Sequence, residues 1–289
     1  MLINQCIIPI VVGEDANNST NTERSLPLSK IAYFAIMNNH FFKAILFSFL
    51  VVSASSKAQT FYGYVTPQFQ KIKSASFNKF ITGYEAVQKN QLTDGRVKSG
   101  TGTGFAIGIG ISNAPNNNNI FSLEYSRSSD QYTAAFVQGG VRKFALQNNY
   151  ISFNFGFPIG DVENDAFLIV MPEFGAGLGN AIVVSSYKQG ATPVNSSALD
   201  GRYKSFHGNL MGGASVIFNF GGVGLKASAR YNLPMFPTGL KDKSKPYGTD
   251  RLPVDYSAWT VNPSDYMGSE VKDDFKYFQL GLGICVLLN

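Results

Sequence analysis

The sequence predicts an all-β fold: an eight-stranded antiparallel up-and-down transmembrane β-barrel, preceded by a signal peptide. Three observations predict it. Eight segments alternate apolar with polar side chains, the connections between them alternate between long and short, and a leader-like stretch stands before the first of them.

The composition admits such a fold. Of 289 residues, 44% are hydrophobic and 15% charged, with 29 Gly and 24 Phe, which excludes a disordered chain and a disulfide scaffold. The two cysteines, Cys6 and Cys285, stand at opposite ends of the chain and match no metal-ligand or redox spacing. We expect no disulfide, no metal and no cofactor.

The leader is MNNHFFKAILFSFLVVSASSKAQ, from Met37. Lys43 precedes an apolar run from Ala44 to Val52, and Ser56-Lys57-Ala58 follows, which is the charged, apolar and small-residue order of a secretory signal. The apolar run is far shorter than the roughly 20 residues of a spanning helix. A helix from Ile31 to Val52 would be interrupted by Asn38, Asn39, His40 and Lys43. The expected domains are therefore an upstream extension over 1–36, from a start assigned too early or a disordered prefix, a signal peptide over 37–58, and the barrel over 59–289. From Gln59 onward there are 20 Lys and Arg against 16 Asp and Glu. So mild a balance, with no basic run interleaved with aromatics, excludes nucleic acid as a partner.

The strands follow in order, each with two faces because successive side chains point to opposite sides. Strand one sets Phe61, Val65 and Phe69 against Tyr62, Tyr64, Thr66, Gln68 and Gln70. Strand two sets Phe105, Ile107, Ile109 and Ile111 against a row of Gly and Ala, and strand three sets Phe121, Leu123 and Tyr125 against Ser122, Glu124 and Ser126. In strand four Ile151, Phe153, Phe155 and Phe157 oppose Tyr150, Ser152, Asn154 and Gly156. In strand five Leu168, Val170, Phe174, Ala176 and Leu178 oppose Glu173 and three Gly. Strand six opposes Phe206, Leu210, Ala214, Val216 and Phe218 to His207, Asn209, Met211 and Ser215. Strand seven, VGLKASARYNLP, puts Lys226 and Arg230 opposite Leu225, Ala227, Ala229 and Tyr231, and strand eight sets Phe278, Leu280, Leu282 and Ile284 against Tyr277, Gln279 and two Gly.

The connections read long (about 71 to 101), short (NAPNNNN), long (about 129 to 145), short (GDVEND), long (about 185 to 204), short (NFGG) and long (about 235 to 274). An even number of antiparallel strands with short turns at one rim and long loops at the other is the pattern of an outer-membrane barrel. Such a sheet has to close, since lipid satisfies no backbone group. The alternation also decides which face is inside. A soluble barrel would expose the glycine row of strand two to water with nothing gained. A narrow lipid-facing barrel uses the same row to make room for Tyr62 and Tyr64.

The signal ending KAQ, the eight Gly- and aromatic-rich strands and the loop rhythm together resemble the small outer-membrane β-barrel proteins of diderm bacteria, most of all their Bacteroidota-type members. The resemblance covers about 59 to 289. Barrels of that group commonly end on an aromatic residue, which resembles the signal read by the assembly machinery, whereas this chain ends Leu287-Leu288-Asn289. The resemblance implies outer-membrane lipid, lipopolysaccharide and the barrel-assembly machinery as partners.

Alternation places Glu124, Glu173, Lys226 and Arg230 in the lumen, where we expect an ion-pair network that plugs it. Charges buried there have to be paired. Catalysis by the two carboxylates is disfavoured because an eight-stranded interior is filled by side chains. His207 is the single His after Gln59 and lies near the loop rim with Ser205 in SFHGN. A Ser–His pair at that rim would suit a lipid-modifying enzyme, but no carboxylate stands beside it in sequence to orient the base. We expect a structural histidine. Tyr125, Phe157 and Tyr231 suit interfacial girdles. Lys73, Lys79, Lys89, Arg96 and Lys98 in the first loop, with Lys241, Lys243, Lys245 and Arg251 in the last, could meet lipopolysaccharide phosphates or water.

The function expected is that of a non-enzymatic integral outer-membrane protein with four long surface loops, a structural or surface-binding role and at most a narrow pore. A lipid-modifying enzyme centred on His207 and a secreted soluble ligand-binding barrel remain the alternatives. The ligand of the loops is not legible.

Overall fold

The structure, a computed structural model, describes residues 59–113, 119–159, 167–188 and 196–288. The expected leader and upstream extension lie outside the described residues. Eight long strands form the barrel: β1 (Gln59–Lys73), β2 (Gly102–Asn113), β3 (Ile120–Ala135), β4 (Val141–Gly156), β5 (Leu168–Lys188), β6 (Gly201–Asn219), β7 (Val223–Met235) and β8 (Lys276–Leu288). Each pairs antiparallel with its sequence neighbour, and β8 returns to β1, with Val65 opposite Ile284 and Phe69 opposite Leu280. The sheet has no open edge, so every strand can satisfy its backbone within the barrel.

Burial follows the alternation. Phe61, Phe69, Ile107, Ile109, Phe121, Phe153, Phe174, Leu210, Leu225, Leu280 and Leu282 face outward and are exposed, while Tyr62, Tyr64, Gln68, Glu124, Ser152, Glu173, Lys226, Arg230 and Gln279 face inward and are buried. In a water-soluble protein this arrangement would be inside out. Aromatic rings gather at both edges of the apolar belt. Phe155 and Phe157 stack on Phe174, and Phe167 meets Phe218 and Phe220, toward the short turns. Phe105 lies against Tyr125 toward the loops. Interfacial girdles of this kind flank the hydrocarbon layer of membrane barrels.

Glycine has a definite use in β2. A Cβ built on Gly108 would lie 2.3 Å from Cζ of Tyr64, so the ring passes where any side chain would stand. Tyr64 is opposite Gly108 in the ladder, and the ring folds into the lumen over it.

Two expectations are corrected. The second outer connection is not a long loop. β3 and β4 run on, paired as far as Ala135 and Val141, and the turn between them is only 136–140, with Gly139 and Gly140 at positive φ. The apolar-outward alternation ends near Tyr125, so the sequence reads as loop where the strands continue with their polarity exchanged. Three of the four connections at that rim are long, not four. The first of them, moreover, holds a 14-residue helix, α1 (Ala75–Gln88). Ser74 caps it by accepting from the amide of Phe77, and Phe77, Phe80, Ile81, Tyr84 and Gln88 form its buried face. One short amphipathic stripe among polar residues did not stand out from the loop.

Two shorter helices, α2 (Ser196–Leu199) and α3 (Tyr256–Val261), belong to the third and fourth loops. Asp255 caps α3 by accepting from the amide of Ala258. Phe77, Phe80, Tyr84, Tyr256 and Trp259 pack with Tyr132, Phe144, Leu146, Val183 and Tyr203 from the strands, so an apolar core fills the loop half of the barrel. Among the described residues no helix is long and apolar enough to cross a membrane. The chain crosses with strands.

Candidate functional site: the barrel lumen

Three layers fill the interior. At the turn end Tyr62, Ile120, Ile169, Met171, Ile217 and Leu287 form an apolar floor, with the free thiol of Cys285 buried among them. At the loop end stands the aromatic core just described. Between them lies a layer of charges and amides.

The structure brings Glu124, Glu173, Lys226 and Arg230 together in that layer. They come from β3, β5 and β7, and each is inward by strand parity. Glu173 accepts from Lys226 Nζ at 2.9 Å, from Arg230 Nε at 2.8 Å and from Ser215 Oγ at 2.6 Å. Arg230 spans the two acids: Nη2 lies 2.6 Å from Glu173 and Nη1 donates to Glu124 at 2.5 Å. The Tyr64 hydroxyl donates to the same oxygen of Glu124. Lys226 also sits over the Tyr64 ring, 4.0 Å from its centroid. Two cations face two carboxylates, so the layer is neutral, and the forked guanidinium of Arg230 is what allows one side chain to serve both acids. Breaking such a buried set would leave a charge uncompensated.

An amide layer continues toward the loops. Asn232 accepts from Tyr150 at 2.9 Å and from Asn209 at 3.2 Å, and its amide donates to Gln279 at 3.2 Å. Gln279 in turn donates to Gln68. Asn148 donates to the Tyr277 hydroxyl at 3.2 Å, where the aromatic core begins. Alternation found the four charged residues, but this crosslinking by Tyr64, Ser215 and the amides depends on register and was not read from sequence.

His207 is buried inside β6 beneath the fourth loop rather than open at the rim. Its Nδ1 lies 3.5 Å from Asp273, the carboxylate that local sequence did not supply. Ser205 is there too, but its hydroxyl donates to Asp273 at 2.5 Å, and the same carboxylate accepts from the amide of Thr238 at 2.5 Å. A nucleophilic serine needs its proton aimed at the imidazole. Here that proton goes to the acid, and the cluster ties the fourth loop to β6. Asp273 lies 68 residues from Ser205, so no sequence spacing announced it.

No protein-family model matches the sequence, and no curated protein matches it. Among solved structures the chain is similar to neisserial surface protein A (NspA), at 16% identity, with 80% of this chain and 99% of that one covered and a TM-score of 0.39. It is similar to Ail, the attachment invasion locus protein of Yersinia pestis, solved with the heparin analogue sucrose octasulfate, at 12% identity, 80% and 99% coverage and a TM-score of 0.38. OprG of Pseudomonas aeruginosa gives 9%, 80%, 96% and 0.38. The closed ring of eight strands and its apolar belt define an integral β-barrel of the outer membrane.

Proposed function

We propose that the protein is a non-enzymatic outer-membrane barrel, of the Bacteroidota type, whose lumen is closed and whose loop end is a folded platform for binding at the cell surface. One observation carries this reading: a neutral, buried charge layer crosses the lumen between two apolar clusters. Residues 37–58 export the chain, the barrel-assembly machinery inserts it, and outer-membrane lipid and lipopolysaccharide surround it. The platform gives the role its surface, since α1 and α3 are packed onto the strands at the barrel mouth by one shared apolar core.

Single-channel recording in planar bilayers tests the reading. The protein should show no stable conductance, and Arg230→Ala should open transient steps as the charge layer loses its bridge. A large steady pore in the unaltered protein would overturn the closed lumen. An enzymatic role is tested apart, by the mass spectrum of lipid A from cells with and without the protein. An unchanged acyl pattern is expected, and an altered one would restore the His207 reading.

A further inference from the structure

Cations at the loop end divide into those with partners and those without. Lys98 pairs with Asp94 at 2.7 Å, Arg251 lies 3.6 Å from Glu270, and Lys245 donates to the Tyr203 hydroxyl at 3.2 Å and to the carbonyl of Ala198. Among the described residues, Arg202, Lys204 and Lys243 have no acidic partner within 4 Å, and Lys241 reaches Glu270 only at 3.9 Å. These four line a single cleft of about 660 Å³ between β6 and the fourth loop.

The backbone fixes two of them side by side. Lys204 and Lys241 are opposite each other in an antiparallel bridge, joined by amide-to-carbonyl bonds of 2.8 and 3.1 Å. Like charges so placed repel unless an anion lies between them. One acid, Asp242, also lines the cleft, but its carboxylate is engaged by the amide of Arg202 at 2.8 Å and by Ser244 Oγ at 2.6 Å. The lining is thus four cations against one committed carboxylate.

The height of the cleft points to its occupant. Arg202, Lys204 and Phe206 follow one another in the outward row of β6, and Phe206 is 63% exposed, with Leu210 below it in the same row. The cleft opens where the apolar belt ends. A soluble anion would have no use for the lipid-facing ring beneath it, whereas a lipid would place its phosphate among the cations and its chains along Phe206 and Leu210.

We propose that this cleft binds the phosphate-bearing headgroup of an anionic outer-leaflet lipid. The inference rests on the membrane-barrel reading and adds a ligand class to it. The test places the full barrel in phosphatidylcholine nanodiscs doped with diphosphorylated or dephosphorylated lipid A, and native mass spectrometry measures retention. The diphosphorylated form should be retained at least about tenfold better, since two cations act on its phosphate. Lys204→Gln with Lys241→Gln should weaken retention roughly 30-fold. Lys204→Arg with Lys241→Arg should restore it, and Lys143→Gln, a cation on β4 outside the cleft lining, should leave it unchanged. Heat-modifiable gel migration reports that each variant is folded. Equal retention of the two lipids, or no loss in the double Gln variant, would overturn the proposal. Inorganic phosphate binding as tightly in undoped discs would overturn the lipid as source. Recording conductance on the same preparations separates the failures: a closed barrel that retains no lipid sinks this inference alone, and an open pore sinks the closed-lumen reading.

Discussion

The two halves of the barrel obey opposite rules on the same strands. On β3 the outward residues run Phe121, Leu123, Tyr125 and then Arg127, Ser129, Gln131, Thr133, while the inward ones run Ser122, Glu124, Ser126, Ser128, Asp130 and then Tyr132, Ala134. On β4, read in the same direction, the outward row passes from Phe155, Phe153 and Ile151 to Asn149, Gln147 and Lys143, and the inward row from Asn154 and Ser152 to Leu146 and Phe144. Parity never slips, yet apolar and polar exchange sides. One half is solvated by hydrocarbon and gathers its polar groups on the axis, and the other is solvated by water and builds an ordinary apolar core. The exchange near Tyr125 and Ile151 marks the edge of the membrane in the sequence itself.

The comparison can be broken most severely from inside. Arg230→Ala would leave Glu124 and Glu173 with only Lys226, and we expect a loss of about 3–5 kcal/mol. Trp259→Ala, deep in the loop-end core, should cost a similar amount, roughly 3–5 kcal/mol. The two should differ in kind. Urea unfolding in detergent micelles should show the whole barrel weakened by the first, while limited proteolysis should show the second releasing the loop platform with the membrane half intact.

Outward substitutions sharpen the same contrast. Ile107→Lys, in the belt, should destabilise by about 2–4 kcal/mol, whereas Gln131→Lys, outward on β3 beyond it and opposite Ala145, should stay within about 0.5 kcal/mol. Refolding titrations into lipid vesicles measure both. Gly108→Ala pushes a methyl group against the Tyr64 ring and loosens its bond to Glu124, at a cost of about 1–3 kcal/mol.

A small, pH-dependent effect belongs to the loops. Burial works against ionisation of Asp242, but hydrogen bonds from Ser244 and the amide of Arg202 outweigh it and hold the carboxyl below its ordinary range. Its contribution is therefore present above the usual Asp pKa of about 3.9 and fades as pH falls below it. Asp242→Asn should speed amide exchange in 241–245 at pH 7 by roughly the fivefold to tenfold of about 1 kcal/mol, with the difference shrinking as the carboxyl is protonated in acid.

Legibility in the sequence divides along the same boundary. In the membrane half, apolar residues at every second position are required on all eight strands, so the faces of β1 to β8 and the inward placing of Glu124, Glu173, Lys226 and Arg230 could be read directly. Beyond Tyr125 the outward row turns polar, and Gln131 or Lys143 resembles a loop residue although the ladder continues. Tyr256 gave no sequence signal because its partners, Phe80 and Tyr84, lie about 170 residues earlier in α1, and Trp259 stacks on Tyr256 in turn. Asp273 beside Ser205 and His207 was hidden for the same reason: closure of the fourth loop, and no local spacing, brings it there.

Site-directed spin labelling along the outward row of β3 tests the central claim most directly. With Cys6 and Cys285 replaced, labels at Leu123→Cys, Arg127→Cys, Gln131→Cys and Ala135→Cys in the reconstituted protein report collisions with oxygen and with a water-soluble relaxant. The account predicts oxygen-rich, lipid-like behaviour at 123 and water-like behaviour at 131 and 135, with the change at 127. Water-like labels along the whole row, in a chain that stays monomeric without lipid or detergent, would contradict it.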